Sequence, residues 1–440
     1  MRTFLVVWFG QTISIIGSAL TSFALYVWVY QTTGSVTQYA LVNVFASLAG
    51  LLVGPYAGVV VDRHDRRRVM LLSDVGEALI SLTILLLAVS GLLRPWQVYL
   101  IVGTSTALLS FHGPAFTAAT TLLVPRRQFA RTAGMRQMSE AASSVLAPLL
   151  GGYLLLRIHL QGLVSIDLVT FVFAFATLLM VRIPSPPQSE HSAAPSTSWW
   201  RQAGYGWQYL RQRRPLMRLL EYVLCLNFVF SMALVLFTPL VLSFATAAEL
   251  GRVLALGGVG ALAGGLLISL VGGPKKRIWG VISFAFVSSA SLAIVAFSRS
   301  LPAISVGAFL IAAGLPVINS SAQAIWQAKV APEVQGRVFA FRRVIGQASM
   351  PIAILLAGPL ADFCKPLLRT GGALADSAGR LVGVGEGRGI ALVYLLLAVA
   401  TLGIGIWGIL SRGLNRLEQE VPDALAKPEG PPGEAGLAVS

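Results

Sequence analysis

Apolar residues in this chain come in long runs broken by short polar or Gly/Pro-containing turns, without the alternation of a half-buried strand. In windows of about 20 residues, the length an α-helix needs to cross hydrocarbon, the pattern predicts helices at 4–29, 38–61, 69–92, 97–122, 137–157, 162–182, 217–243, 250–272, 278–298, 302–325, 343–363 and 390–411. Twelve crossings put both ends of the chain on one side.

The longest interruption opens with Pro184, Ser185, Pro186 and Pro187 and continues Ser- and Ala-rich to Thr197, the composition of a linker. After it, Trp200, Ala203, Trp207 and Leu210 recur at helical spacing beside Arg201, Arg211 and Arg213, predicting an interfacial amphipathic helix that Gly204 and Gly206 weaken. A single shift of 206 positions superposes Arg131 on Arg337, Arg136 on Arg342, Ser143 on Ser349 and Gly152 on Gly358, as expected of a duplicated half. The fold expected is therefore an all-α membrane protein, twelve transmembrane helices in two pseudo-symmetric six-helix bundles. Its divisions are 1–183 for the N-terminal bundle, 184–215 for the linker with its amphipathic helix, 216–412 for the C-terminal bundle, and 413–440 for a disordered tail. The Gly-rich connection from Cys364 to Gly389 is also expected to be disordered or variable.

Composition narrows the function. With 55% hydrophobic and 12% charged residues, and mean hydropathy +0.75, a soluble enzyme is excluded. The net charge of +15 would suggest nucleic acid in a soluble protein, but the basic residues sit in short turns, where they act as topological signals. No nucleic-acid partner is expected. With the N-terminus inside, most of the 33 basic residues fall on the inner side, which places both termini in the cytoplasm of a multi-pass protein of the cell inner (plasma) membrane. Cys225 and Cys364 are too far apart in sequence to read as a disulfide framework or a metal spacing. The first run begins at Phe4 and carries Gln11, Ser14 and Ser18 instead of a cleavage site, so it reads as a retained helix.

The turn Gly58-x-x-x-Asp62-Arg63-x-x-Arg66-Arg67 between the second and third helices, within this twelve-helix plan, resembles the major facilitator superfamily of secondary transporters. Asp65 stands where a glycine is common in that family. Ser143-x-x-x-Ala147-Pro148-x-x-Gly151-Gly152 is similar to the antiporter motif of the fifth helix, with Ser143 and Ala147 in place of two glycines. Gly10-Gln11-x-x-Ser14-x-x-Gly17, Gln335-Gly336-Arg337 and Ala357-Gly358-Pro359-Leu360-Ala361-Asp362 resemble the macrolide-efflux and enterobactin-exporter branch. The resemblance implies a conformational latch made of Gly58, Asp62, Arg63, Arg66 and Arg67 with the start of the eleventh helix, Arg342 and Arg343. Asp62 has a physical reason for such a role, because a carboxylate is favoured near the positive end of a helix. Pro148 among small residues lets the fifth helix bend and pack closely, and the glycines between 257 and 265 read as a packing face.

Ionisable groups within a membrane are costly and invite functional readings. Candidate proton carriers are Glu77, His112 and Glu221; His112, near the middle of the fourth helix, titrates in the physiological range when unperturbed. Family architecture would place the first, fourth, seventh and tenth helices around a cavity, giving Gln11, Ser14, Tyr26, His112, Asn227, Phe230, Asn319, Gln323 and Trp326 as its candidate lining. Such a cavity suits a bulky amphipathic or cationic solute. No Walker sequence is present. The expected function is secondary active efflux of a drug, siderophore or other bulky natural product by proton antiport. The protein would act as a functional monomer among membrane lipids, with no cofactor or metal beyond the proton gradient and no catalytic residues. A lipid or lysophospholipid flippase and an importer of the same fold are the alternatives.

Overall fold

A computed structural model describes residues 1–181, 199–272, 274 and 276–424. The linker from Pro184 to Thr197, Lys275 and the tail beyond Ala424 lie outside the described residues. The described chain is helical almost throughout and contains no strand.

The N-terminal half comprises α1 (Arg2–Thr33), α2 (Val36–Arg63), α3 (Arg66–Val89), α4 (Pro95–Leu123) and α5 (Phe129–Leu179). Although continuous in its hydrogen bonding, α5 reverses at His159, where φ is 55° and ψ is −174°, and so makes two crossings. A positive φ is uncommon outside glycine and here turns the chain within a single residue. The amphipathic segment forms α6 (Trp199–Gln212). The C-terminal half comprises α7 (Arg214–Leu242), α8 (Ala247–Val271), α9 (Arg277–Phe297), α10 (Leu301–Lys329), α11 (Pro332–Leu367), the short α12 (Ala378–Val382), α13 (Arg388–Leu410), and two single turns, α14 (Arg412–Asn415) and α15 (Leu417–Glu420). With α5 counted twice, the described residues make the twelve crossings expected. Their lipid-facing surface is apolar, as shown by Leu72, Met180 and Leu270, each more than 70% exposed; hydrocarbon replaces water around these side chains.

One end of the bundle carries Arg63, Arg67, Arg68 and the first residues of α1, and is called here the basic end; the opposite end is the far end. Buried side chains divide accordingly. Phe4, Met70 and Phe116 belong to a core made only by the N-terminal half, and Leu216, Tyr222 and Trp326 to one made by the C-terminal half together with Tyr209 and Leu210 of α6. A third core joins Val36, Tyr39 and Ala40 to Leu236, Ala357 and Ala361. The halves therefore share a core near the far end and have separate ones near the basic end.

Three expectations are corrected. The segment after 413, expected to be disordered, is folded as far as Ala424: Lys329 donates to the carbonyls of Glu418 and Val421 and pairs with Asp423, while Glu418 caps the first turn of α9 through the Ile278 N–H at 2.8 Å. A lysine in the last turn of α10 thus gives the tail an anchor. The Gly-rich connection after Cys364 is likewise ordered, with Arg388 buried and donating to the Val382 carbonyl. Gly206, expected to weaken α6, is where α6 meets α11, since a Cβ there would lie 2.7 Å from Cβ of Phe341.

Candidate functional site

Two cross-bundle contacts set the geometry of the space between the halves. In the first, α5 meets α8 with backbones almost touching: a Cβ on Gly152 would come within 2.4 Å of the Ala247 carbonyl oxygen, and one on Gly251 within 2.1 Å of the Pro148 carbonyl oxygen. Small residues permit such an approach between membrane helices. Ala147 and Gly151 of the same motif face inward instead; Ala147 is buried, and a Cβ on Gly151 would press on the Phe23 ring at 2.9 Å. In the second contact α11 meets the start of α2, with Gly358 against Thr37 Cα at 2.6 Å from an added Cβ. Asp362 of α11 accepts from the Ser35 hydroxyl at 3.1 Å, the Val36 N–H at 3.3 Å, the Thr37 N–H at 3.0 Å and the Thr37 hydroxyl at 2.7 Å. A carboxylate from one bundle thereby caps a helix N-terminus of the other, where unpaired N–H groups and the helix dipole favour negative charge.

Away from that contact α2 and α11 diverge around a cavity of about 1680 Å³, lined by Leu51 and Pro55 on one wall and by Phe230, Asn319, Phe339 and Gly346 on others. Because Gly336 and Phe339 at the start of α11 belong to its wall, the cavity reaches the basic end. Of the expected lining, Asn227, Phe230, Asn319, Gln323 and Trp326 face it. Gln11, Ser14, Tyr26 and His112 do not line it; Gln11 and Ser14 are buried inside the N-terminal bundle and Tyr26 packs on Tyr39 with ring centroids 5.6 Å apart. The α4 contribution comes from Ser110 and Pro114 on either side of His112.

His112 turns instead toward α3, its Nε2 3.3 Å from Asp74 Oδ1, and Gln11 of α1 donates to the other oxygen of Asp74 at 3.2 Å. One turn along α3, Glu77 accepts from the Ser105 hydroxyl of α4 through both oxygens, at 3.0 and 2.9 Å. Asp167, in the second crossing of α5, accepts from Ser81 at 2.8 Å and Ser18 at 3.3 Å. All three carboxylates are at most 5% exposed. Burial of that kind is costly unless every charge has a partner, so the cluster ties four crossings together through its polar contacts. Glu221 stands apart from it: it is 44% exposed and paired with Arg218 at 3.1 Å.

The latch residues are not assembled. Asp62 and Arg63 are exposed, and a Cβ on Gly58 would meet nothing within 4 Å. Arg67 donates to the carbonyls of Leu178 and Leu179 at 3.3 and 2.8 Å, Arg66 is half-buried, and Asp65 caps α3 through the Arg68 N–H at 2.9 Å. Asp74 is engaged by His112 and Gln11, not by an arginine of this turn. Arg342 and Arg343 lie across the cavity, Arg342 donating to Gln323 at 2.8 Å. Two functional groups escaped the sequence reading. Asp74 was visible as a neighbour of Glu77, but its partner is on another helix. Asp362 was visible in its motif with no indication that a foreign helix N-terminus lay against it. Among the described residues no group of three or more His, Cys, Asp and Glu side chains could hold a metal ion.

Comparison with known proteins agrees with this geometry. The family model described as Major Facilitator Superfamily matches residues 7–354. Macrolide efflux protein A of Streptococcus pyogenes is 30% identical over 366 residues, covering 82% of this chain and 89% of that protein. Enterobactin exporter EntS of Salmonella paratyphi A is 31% identical over 194 residues, 42% of this chain and 45% of that protein. Among solved structures, a bacterial homolog of the human lysosomal transporter Spinster in an inward-facing, unoccupied conformation aligns with TM-score 0.67 at 14% identity, covering 94% of this chain and 96% of that one. The nucleoside transporter NupG aligns with TM-score 0.71 at 10% identity, covering 92% and 99%.

Proposed function

The chain belongs to the major facilitator superfamily, and on that premise we propose that it is a secondary active efflux transporter, expelling a drug, siderophore or other bulky natural product by proton antiport and alternating access. The observation that carries this reading is the large cavity between two bundles that are joined near the far end and separate near the basic end. Such a chamber serves transport when the bundles rock about a central site. The relatives named as a macrolide efflux protein and an enterobactin exporter support the outward direction.

The basic end faces the cytoplasm of the cell membrane, since Lys and Arg are retained there, and the protein works as a monomer among lipids. In this orientation the chamber is open inward and the Asp362 contact closes the outside. In the opposite state the inner ends of α2 and α11 meet, and Asp62 reaches Arg342 and Arg343, which lie about three turns inside α11 and not at its start as the sequence suggested, because the helix begins at Pro332. Coupling runs through His112 and Asp74. A proton on the imidazole makes the pair a salt bridge, its loss leaves a buried carboxylate held by Gln11 alone, and either change alters how α1, α3 and α4 pack. Glu77 and Asp167 are the other acids facing this region, each held by serine hydroxyls.

The test is accumulation of toxic compounds in cells with and without the protein, before and after a protonophore, and with Asp74→Asn. Lowered accumulation that rises to the control level with the protonophore and in Asp74→Asn is expected. Export that continues unchanged without a proton gradient overturns the coupling, and accumulation above the control makes the protein an importer.

A further inference from the structure

We propose that the cavity selects amphipathic anions: solutes with a bulky apolar body and a carboxylate, sulfonate or phosphate group. This rests on reading the cavity as the transport site, and it names the solute class that the sequence alone left as amphipathic or cationic. Among the described residues that line the cavity, the only charged side chains are Arg342 and Arg343, adjacent on α11. Arg342 is held in place, its guanidinium donating to Gln323 Oε1 at 2.8 Å and lying 5.4 Å from the Trp326 ring and 5.6 Å from the Phe339 ring. Its Nη1 is buried and has no hydrogen-bond partner among the described residues. Arg343 is exposed on the same wall.

No described acid lines the cavity, and Asp62, exposed at the basic end here, meets this pair only in the opposite state. Glu140 is paired with Arg136 at 3.2 Å and Glu221 with Arg218 at 3.1 Å, while Asp74 and Glu77 are buried in the N-terminal bundle and do not line the cavity. Two like charges in a chamber walled by low-dielectric protein focus a positive potential into it. Coulomb energy there exceeds its value in water several-fold, so an entering cation is repelled and an anion attracted. Arg343, exposed on the cavity wall beside a guanidinium already aligned by rings and an amide, is the group that first meets an oxyanion. Much of the rest of the wall, including Phe230, Leu234 and Phe237, is apolar, with amides such as Asn227 and Asn319 between. Its volume, about 1680 Å³, exceeds the roughly 300–1,000 Å³ of ordinary small-molecule pockets, which asks for a large solute.

The experiment uses the full-length protein in nanodiscs of zwitterionic lipid. Fluorescein and a cationic rhodamine share one xanthene core and differ in charge; binding of each is read by anisotropy against empty discs. Fluorescein is expected to bind about tenfold more tightly. In Arg342→Gln/Arg343→Gln the ratio should fall close to one, and in Arg343→Gln, which alters an exposed side chain and leaves the packed Arg342 in place, by about threefold. Arg342→Lys, with its charge kept, should retain most of the preference. The anion can come from a lipid or from a soluble metabolite: displacement of fluorescein by lysophosphatidylglycerol but not by a naphthalene carboxylate assigns the lipid source, and the reverse assigns the soluble one. Displacement by neither overturns the inference. So does tight binding of the rhodamine or of a basic macrolide equal to that of fluorescein, or a preference that survives the double substitution. Proton-driven efflux by the unaltered protein without any anion preference removes this inference alone; anion preference of the unaltered protein without any efflux removes the transport reading instead.

Discussion

The two cross-bundle contacts, α5 against α8 and α11 against α2, occupy equivalent places in the duplicated halves and are built differently. Gly152 and Gly358, one repeat apart, do the same job, the first against the start of α8 and the second against the start of α2. The helix ends they touch are satisfied by unlike means. α8 is capped within its own sequence, Thr246 and Glu249 forming a reciprocal capping box. Although Ser35 accepts from Gln38 within α2, the Val36 and Thr37 N–H groups of α2 donate to Asp362 of the other bundle. A helix that caps itself loses nothing when its neighbour moves. One capped from across the interface favours whichever state keeps the neighbour in place. The α5–α8 contact is therefore a steric pivot, and the α2–α11 contact an electrostatic clasp on which opening of the far end depends.

The comparison can be broken most severely at the pivot. Gly251→Leu drives a side chain into the Pro148 carbonyl and should destabilise the packing by about 3 kcal/mol or more; loss of a monodisperse peak in size-exclusion chromatography and of all efflux is expected. Asp362→Asn should leave the fold intact and weaken the closed far end by about 2 kcal/mol, roughly a thirtyfold shift in the ratio of closed to open. Distances between spin labels at the far ends of α2 and α11 would report it, and an unchanged distribution would show that the clasp is ornamental. Thr246→Ala, which removes the self-contained cap of α8, should cost about 1 kcal/mol in thermal stability and leave those distances unchanged. Asp62→Asn should change stability by less than about 0.5 kcal/mol, as expected of an exposed group, while slowing efflux because it weakens the alternative state. Transport equal to that of the unaltered protein would argue against any latch at Asp62.

The basic end was readable in a different way from the far end. Asp62, Arg66 and Arg67 announce themselves as charges between apolar runs, yet Asp62 is exposed in the conformation described, and Arg67 is spent on the end of α5. Asp362 ends the run Ala357-Gly358-Pro359-Leu360-Ala361-Asp362, whose sequence alone does not show what the carboxylate meets. His112 stood out as a titratable residue in mid-span, and its partner Asp74 lies on the preceding helix at a separation that no periodicity predicts. Gln11 and Ser14 were placed on the cavity wall but point into the N-terminal bundle. The reason is that a membrane helix is apolar toward lipid and largely apolar toward its neighbours, so its sequence marks no inward face as a soluble amphipathic helix does.

By itself the sequence determined the number of crossings, the clustering of basic turns and the kinship of the halves, because hydrocarbon demands uninterrupted apolar length and duplication leaves residues in register. Only the tertiary structure decided which face each helix turns inward, that Asp362 caps a helix of the other bundle, and that the cavity wall holds two arginines and no described acid. Those facts depend on the rotation of each helix about its axis and on contacts between residues hundreds of positions apart, neither of which local pattern encodes.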